Sequence, residues 1–154
     1  MDTRVHISLE VSDLNKSVAF YSALFQRNPT KIQSDYANFR MENPQLHLAL
    51  VHTPARRKEL SGNRHYGIEL FDDGLLEEWL KSARAFDLPI RIEKNVTCCY
   101  AVANKFWAQD PDGHEWEFWV RSAEAETMHE IGDTKATESK TSSAPACCAP
   151  GQCS

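Results

Sequence analysis

The sequence predicts an α+β fold of two tandem modules, each a strand, a helix and three further strands. Three observations carry this expectation: a short motif recurs once, an amphipathic helix follows each copy, and three strand-like runs follow each helix. The recurring motif is His6-Ile7-Ser8-Leu9-Glu10-Val11-Ser12-Asp13. It aligns without a gap on His65-Tyr66-Gly67-Ile68-Glu69-Leu70-Phe71-Asp72, at a constant offset of 59 residues. His, an aliphatic residue, Glu, a second aliphatic residue and Asp all recur, and both copies alternate as a strand does.

The first strand therefore lies in the segment opened by His6. The first helix is expected over about Leu14 to Phe25, where Val18, Tyr21, Leu24 and Phe25 share one face. Thr30 to Gln33, Tyr36 to Met41 and Leu46 to His52 read as strands, with Asn43-Pro44 turning between the last two. Pro54 to Asn63, polar and basic, joins the halves. The second motif opens the next strand at His65. A helix over about Leu75 to Phe86 follows, with Leu76, Trp79, Leu80 and Ala83 on one face. Asp73 is expected as its N-cap, and Glu77 and Glu78 sit near its positive end. The remaining strands are Ile90 to Lys94, Cys99 to Gln109 with a break, and Glu115 to Arg121, the last two joined by Asp110-Pro111-Asp112-Gly113.

Composition bounds the function classes. The 154 residues are 42% hydrophobic and 25% charged, enough for one domain with its own core. No apolar run approaches a bilayer span, and the first residues lack a stretch of signal-peptide length. Net charge is -5, and no basic cluster exceeds Arg56-Arg57-Lys58. Nucleic-acid and membrane partners are therefore not expected, and the expected compartment is the cytoplasm. Residues 123–154 contain no Leu, Val, Phe, Trp or Tyr. They cannot bury enough apolar surface to offset ordering entropy and are read as a flexible tail. The folded domain is expected over residues 1–122, with modules of about 1–53 and 64–122 and a linker over 54–63.

The five cysteines are Cys98, Cys99, Cys147, Cys148 and Cys153. In a cytosolic chain thiols stay reduced, and neighbouring residues bridge each other only through a strained peptide. Two adjacent thiolates instead make a chelate for a soft ion or metalloid.

The repeat places His6 and His65 at equivalent points of two pseudo-symmetric strands. A lone strand histidine is usually structural, but a matched pair favours a site, at a cleft between the halves if these pack sheet to sheet. In the last strand, period two puts Glu115, Glu117 and Trp119 on one face and Trp116, Phe118 and Val120 on the other. Either Glu115 and Glu117 both face water, or Glu117 is buried between Trp116 and Phe118, at a high cost if unpaired, and a metal ion would supply the missing partner. Two histidines and one carboxylate form the facial triad of non-haem iron(II) sites, with open positions for oxygen and substrate. Superposing the turns puts Ala49, which cannot ligate, opposite the place of Glu117. His47 shares that face, as a supporting residue or, with a shifted register, a ligand.

The paired halves, His6, His65 and Asp110-Pro111-Asp112-Gly113-x-x-Trp116-Glu117 resemble the vicinal oxygen chelate superfamily of glyoxalases, extradiol dioxygenases and fosfomycin-resistance proteins. Asn95-Val96-Thr97-Cys98-Cys99-Tyr100 and Lys105-Phe106-Trp107 resemble the carbon–arsenic lyases and related cadmium-induced proteins within it. The resemblance implies two βαβββ modules forming an incomplete barrel around a metal. It implies oxygen-dependent cleavage of the carbon–arsenic bond of trivalent organoarsenicals, releasing arsenite. Methylarsonous acid is the expected substrate, with trivalent aromatic arsenicals as further candidates. On this reading His6, His65 and Glu117 hold iron(II), O2 is co-substrate, and Cys98 and Cys99 bind arsenic beside Tyr100. Cys147, Cys148 and Cys153 are auxiliary metalloid ligands. Tyr100 and Trp107 line the pocket, whereas core packing is favoured for Phe106. A monomer or a homodimer is expected. Two other readings compete: a cadmium- or arsenic-sequestering protein without turnover, and a glutathione-dependent glyoxalase or thiol transferase. The first leaves the histidine pair and Glu117 idle, and the second leaves Cys98-Cys99 idle.

Overall fold

The computed structural model describes residues 3–54, 64–98 and 101–124. The first module runs β1 (Val5–Val11), α1 (Leu14–Phe25), β2 (Lys31–Ile32), β3 (Tyr36–Glu42) and β4 (Gln45–His52). The second runs β5 (Tyr66–Leu70), α2 (Asp73–Ala85), β6 (Ile90–Cys98), β7 (Ala101–Gln109) and β8 (Glu115–Glu124). Their sheets have the same order, β1-β4-β3-β2 and β5-β8-β7-β6. In each, the first strand lies parallel to the last and the other neighbours are antiparallel. The duplication read from the motif is thus a duplication of topology.

Local chemistry explains the boundaries. The carboxylate of Asp13 accepts from the backbone N–H of Lys16 at 3.0 Å and starts α1, which ends where Gln26 turns left-handed at φ 52°. The cap of α2 is Asp72, one residue before the expected Asp73. Its Oδ1 accepts from the N–H of Leu75 at 3.1 Å, which leaves Asp73 as the first helical residue. Asp72 is the repeat partner of Asp13, so both modules cap their helix with the motif's last residue. β6 continues to Cys98 rather than stopping near Lys94, through an irregularity between Glu93 and Val96 where Asn95 adopts φ 51°. β7 begins at Ala101, and β8 runs on to Glu124, pairing its end with Val102 and Ala101 across a second register shift. Strand pairing thus carries the fold slightly past residue 122; the tail from residue 125 lies outside the described residues.

One core serves both modules. Leu9, Val11, Phe20, Leu24, Phe39 and Leu48 of the first join Leu76, Leu80, Phe106, Trp116 and Phe118 of the second. Phe25 of α1 lies edge-on to Trp116 at 5.3 Å and to Trp79 of α2 at 6.1 Å. The inner faces of both sheets and the two helices therefore pack together, and each sheet keeps its other face turned away from this core.

A buried polar joint fixes the halves. Tyr21 Oη donates to Asp110 Oδ2 at 2.8 Å and accepts from Trp116 Nε1 at 3.1 Å. Asp110 also accepts from His114 Nδ1 at 2.8 Å and from the backbone N–H groups of Asp112 and His114. The next carboxylate, Asp112, accepts from the N–H of Ser12 at 3.0 Å. The turn before β8 is thereby anchored to α1 and to the end of β1. Burial, and then the charge of Asp110, push the Tyr21 hydroxyl well above its ordinary range. Gly113 closes the turn at φ 88°, a conformation that disfavours any residue with a Cβ. Among the described residues, no helix is long and apolar enough to cross a membrane.

Candidate functional site

The outward faces of the two sheets carry the histidines and the carboxylate singled out by the sequence. In β8, Trp116, Phe118 and Val120 are buried in the core, and Glu115, Glu117 and Trp119 take the other face, as period two requires. Register sets Trp107 of β7 and Gly67 of β5 opposite Glu117, and Lys105 opposite Trp119. Glu117 Oε1 accepts from Lys105 Nζ at 3.0 Å, and Glu117 Oε2 lies 3.3 Å from His65 Nε2. Lys105, 3% exposed, also approaches Glu93 Oε2 at 3.5 Å and lies 5.2 Å over the Trp107 ring. The His65 ring stands edge-on to Trp107 at 5.0 Å.

Glu117 is thus partly buried, and the partner expected for it, a metal ion, is matched on this chain by Lys105. Burial pushes its carboxyl up, but hydrogen bonds from His65 and Lys105 and the lysine's charge outweigh that and hold it below the ordinary value. Lys105 escapes sequence reading because its partners lie on the neighbouring strands β6 and β8. The available signal is a single lysine inside the apolar run of β7, at the level of carboxylates on both sides.

The other half-site lies on the first sheet. His6 of β1 pairs in register with His47 of β4, and their rings are 4.5 Å apart. His6 Nδ1 lies 3.2 Å from the His47 carbonyl oxygen. A carbonyl only accepts, so Nδ1 is the donor in this contact, and in the tautomer that fits it Nε2 is the acceptor nitrogen. That is how metal-binding histidines are usually oriented. Burial, then the nearby His6, Arg40 and Arg4, hold the His47 imidazole below its ordinary pKa. Ala49 stands opposite Ser8 as Glu117 stands opposite Gly67, so register places Ala49 where the second module has its carboxylate.

The structure therefore joins His65 with Glu117, and His6 with His47, but sets the two pairs on faces separated by the shared core. The halves pack through helices and apolar faces, not across a cleft between the histidines. Among the described residues, no three His, Cys, Asp or Glu side chains gather closely enough in one chain to hold a metal ion. By donor type the residues suit a divalent transition metal; among the described residues they stand as two separate pairs. Cys98 closes β6 in register with Ala101. Cys99 and Tyr100, between β6 and β7, lie outside the described residues, as do Cys147, Cys148 and Cys153. Phe106 is a core residue, stacked on Phe118 at 4.8 Å, whereas Trp107 is on the Glu117 side. The Tyr21–Asp110–His114 joint is also missing from the sequence reading, because Tyr21 lies 89 residues from Asp110 along the chain.

Residues 3–118 match the Glyoxalase/Bleomycin resistance protein/Dioxygenase superfamily. The chain is 36% identical over 148 residues to a trivalent organoarsenical cleaving enzyme of Bacillus sp. (strain MD1), covering 94% of this chain and 89% of that one. It is 32% identical over 126 residues to the cadmium-induced protein CadI of Mycobacterium bovis, covering 82% and 81%. A glyoxalase/bleomycin resistance protein/dioxygenase from Alicyclobacillus acidocaldarius superposes with a TM-score of 0.68 at 18% identity, over 79% of this chain and 92% of that one. On shared topology and on sequence, the chain belongs to the glyoxalase/bleomycin resistance protein/dioxygenase superfamily.

Proposed function

We propose that this protein cleaves the carbon–arsenic bond of trivalent organoarsenicals such as methylarsonous acid and releases arsenite, using iron(II) and O2. The observation that carries the reading is the adjacent pair Cys98-Cys99, within the 148 residues aligned to a relative named for organoarsenical cleavage. Trivalent arsenic is soft and prefers sulfur. The two thiols condense with the two hydroxyls on arsenic, forming two As–S bonds and releasing two waters, and so fix the substrate without calling on the metal. His6, His65 and Glu117 are the residues assigned to iron, which when bound would supply open positions for O2. Lys105 keeps one Glu117 oxygen engaged and so orients the carboxylate. Fixing the arsenical beside the metal turns an encounter between partners into an effectively unimolecular event. Tyr100 and Trp107 are assigned to the organic substituent, and Cys147, Cys148 and Cys153 to auxiliary capture. The chain is placed in the cytoplasm.

Arsenite release from methylarsonous acid, measured with iron(II)-loaded protein in air and under argon, tests the proposal. Release in air that stops under argon and without iron is expected. Tight arsenical binding with no release under any condition would replace it with sequestration.

A further inference from the structure

We propose that Asn95 and Asn104 are positioning residues for the thiol pair. They hold one extra residue in β6, and that residue sets Cys98 at a position of the sheet face that carries Lys105, Trp107 and Glu117. This rests on the assignment of Cys98 and Cys99 to arsenic and deepens it by naming what places the first of them.

The extra residue shows in the register. Along β7, Lys105 and Trp107 take the Glu117 face while Phe106 lies in the core. Period two carries the Glu117 face on to Ala103 and Ala101. On the β6 side, Arg91 stands opposite Trp107, Ile92 opposite Phe106 and Glu93 opposite Lys105. A straight strand would then set Asn95 opposite Ala103 and Thr97 opposite Ala101. The pairs formed are instead Val96 with Ala103, Thr97 with Val102 and Cys98 with Ala101. Lys94 and Asn95 together therefore stand opposite the single residue Asn104, which is a β-bulge. Because side chains alternate, one added residue exchanges the faces of every residue after it. Cys98 gains the position on the Glu117 face that Thr97 would hold in a straight strand, where Cys98 would fall on the core side.

The bulge has its own anchor. Asn95 adopts φ 51°, a left-handed conformation that Asn tolerates and a β-branched residue does not. Its backbone N–H donates to Oδ1 of Asn104 at 3.1 Å. Nδ2 of Asn104 donates in turn to Oδ1 of Asp73, in the first turn of α2, at 3.4 Å. One side chain thus satisfies the displaced N–H and ties it to the helix, three residues before Cys98. The chemistry needs such a device. Adjacent residues of a regular strand point to opposite faces, so a straight strand running through Cys98 and Cys99 would part the two thiols across the sheet. An arsenical with two hydroxyls needs both thiols, each displacing one hydroxyl as water and forming one As–S bond.

The test uses metal-free, full-length chains in which Cys147, Cys148 and Cys153 are serine, and two probes. Methylarsonous acid has two hydroxyls and takes both thiols; dimethylarsinous acid has one and takes a single thiol. Asn95→Val opposes the positive φ, whereas Asn95→Gly permits it. Asn104→Ala removes the anchor, and Asn104→Asp combined with Asp73→Asn restores both hydrogen bonds with the second donor and acceptor exchanged. Asn95→Val and Asn104→Ala should each weaken methylarsonous acid binding by about tenfold or more, part of the 10²–10⁴-fold advantage of a second attachment point. Their affinity for dimethylarsinous acid should be unchanged. Asn95→Gly and the double exchange should bind both probes as the parent does. If Asn95→Val does not fold in urea titration, Asn104→Ala and the double exchange decide. Unchanged methylarsonous acid binding in Asn104→Ala, or an equal loss for both probes, would overturn the positioning role. A parent chain that binds methylarsonous acid no more tightly than dimethylarsinous acid would contradict the two-thiol assignment itself, and this inference with it.

Discussion

Lys105 is the residue on which the chemistry of the second sheet turns. Its side chain is 2% exposed and lies between the carboxylates of Glu93 and Glu117. Removing one partner of a buried pair strands the other's charge, so Lys105→Met should lower stability by about 3 kcal/mol in chemical denaturation. Iron affinity should fall in the same variant, because Glu117 loses the group that orients it. The sign of the pH dependence follows from the same contacts. The Glu117 carboxyl is held below its ordinary value of 4.5. Its pairing therefore contributes stability above that pH, and this is lost as pH falls through the lowered value. Urea titrations between about pH 6 and pH 3 should show the wild type losing more stability than Glu117→Gln. Sequence reading reached Glu117 because period two in β8 sets it opposite the buried Trp116 and Phe118. It could not reach Lys105, whose role depends on sheet register.

At the scale of elements, the repeated motif was legible because it is short-range chemistry: a strand period, then an aspartate that caps the next helix. Asp13 and Asp72 do the same work in α1 and α2. The second cap falls at Asp72 and not Asp73 because it is the motif's last residue, the repeat partner of Asp13, that supplies the capping oxygen. The extension of β6 to Cys98 was not legible, because Asn95 and the irregularity beside it interrupt the alternation that marks a strand. The joint between α1 and the turn before β8 lies beyond local patterns altogether. It yields its own prediction. Tyr21→Phe removes a donor to Asp110 and an acceptor for Trp116, and should cost about 1–2 kcal/mol at neutral pH. The raised Tyr21 hydroxyl also means that wild-type stability declines as pH rises above about 10, while the folded state still holds its proton. In Tyr21→Phe that alkaline decline should flatten, as denaturation midpoints across that range would show.

At the scale of the whole molecule, duplication explains both the fold and its division of labour. Two modules with one strand order share a core and present one reactive face each. One module has a carboxylate, Glu117, at the register position where the other has Ala49; on the proposed reading this is why the metal set is two imidazoles and one carboxylate. On that reading, Cys98 and Cys99 are a second, softer set of ligands that hold arsenic while His6, His65 and Glu117 are left to the metal. That separation of arsenic from metal is the central claim. The measurement that tests it most directly is equilibrium binding of methylarsonous acid to metal-free protein, in a full-length chain whose Cys147, Cys148 and Cys153 are serine. Binding should occur without iron, and Cys98→Ser in that background should weaken it by about 10²–10⁴-fold, the advantage of a second attachment point. Binding that requires iron, or that is unchanged in Cys98→Ser, would contradict it.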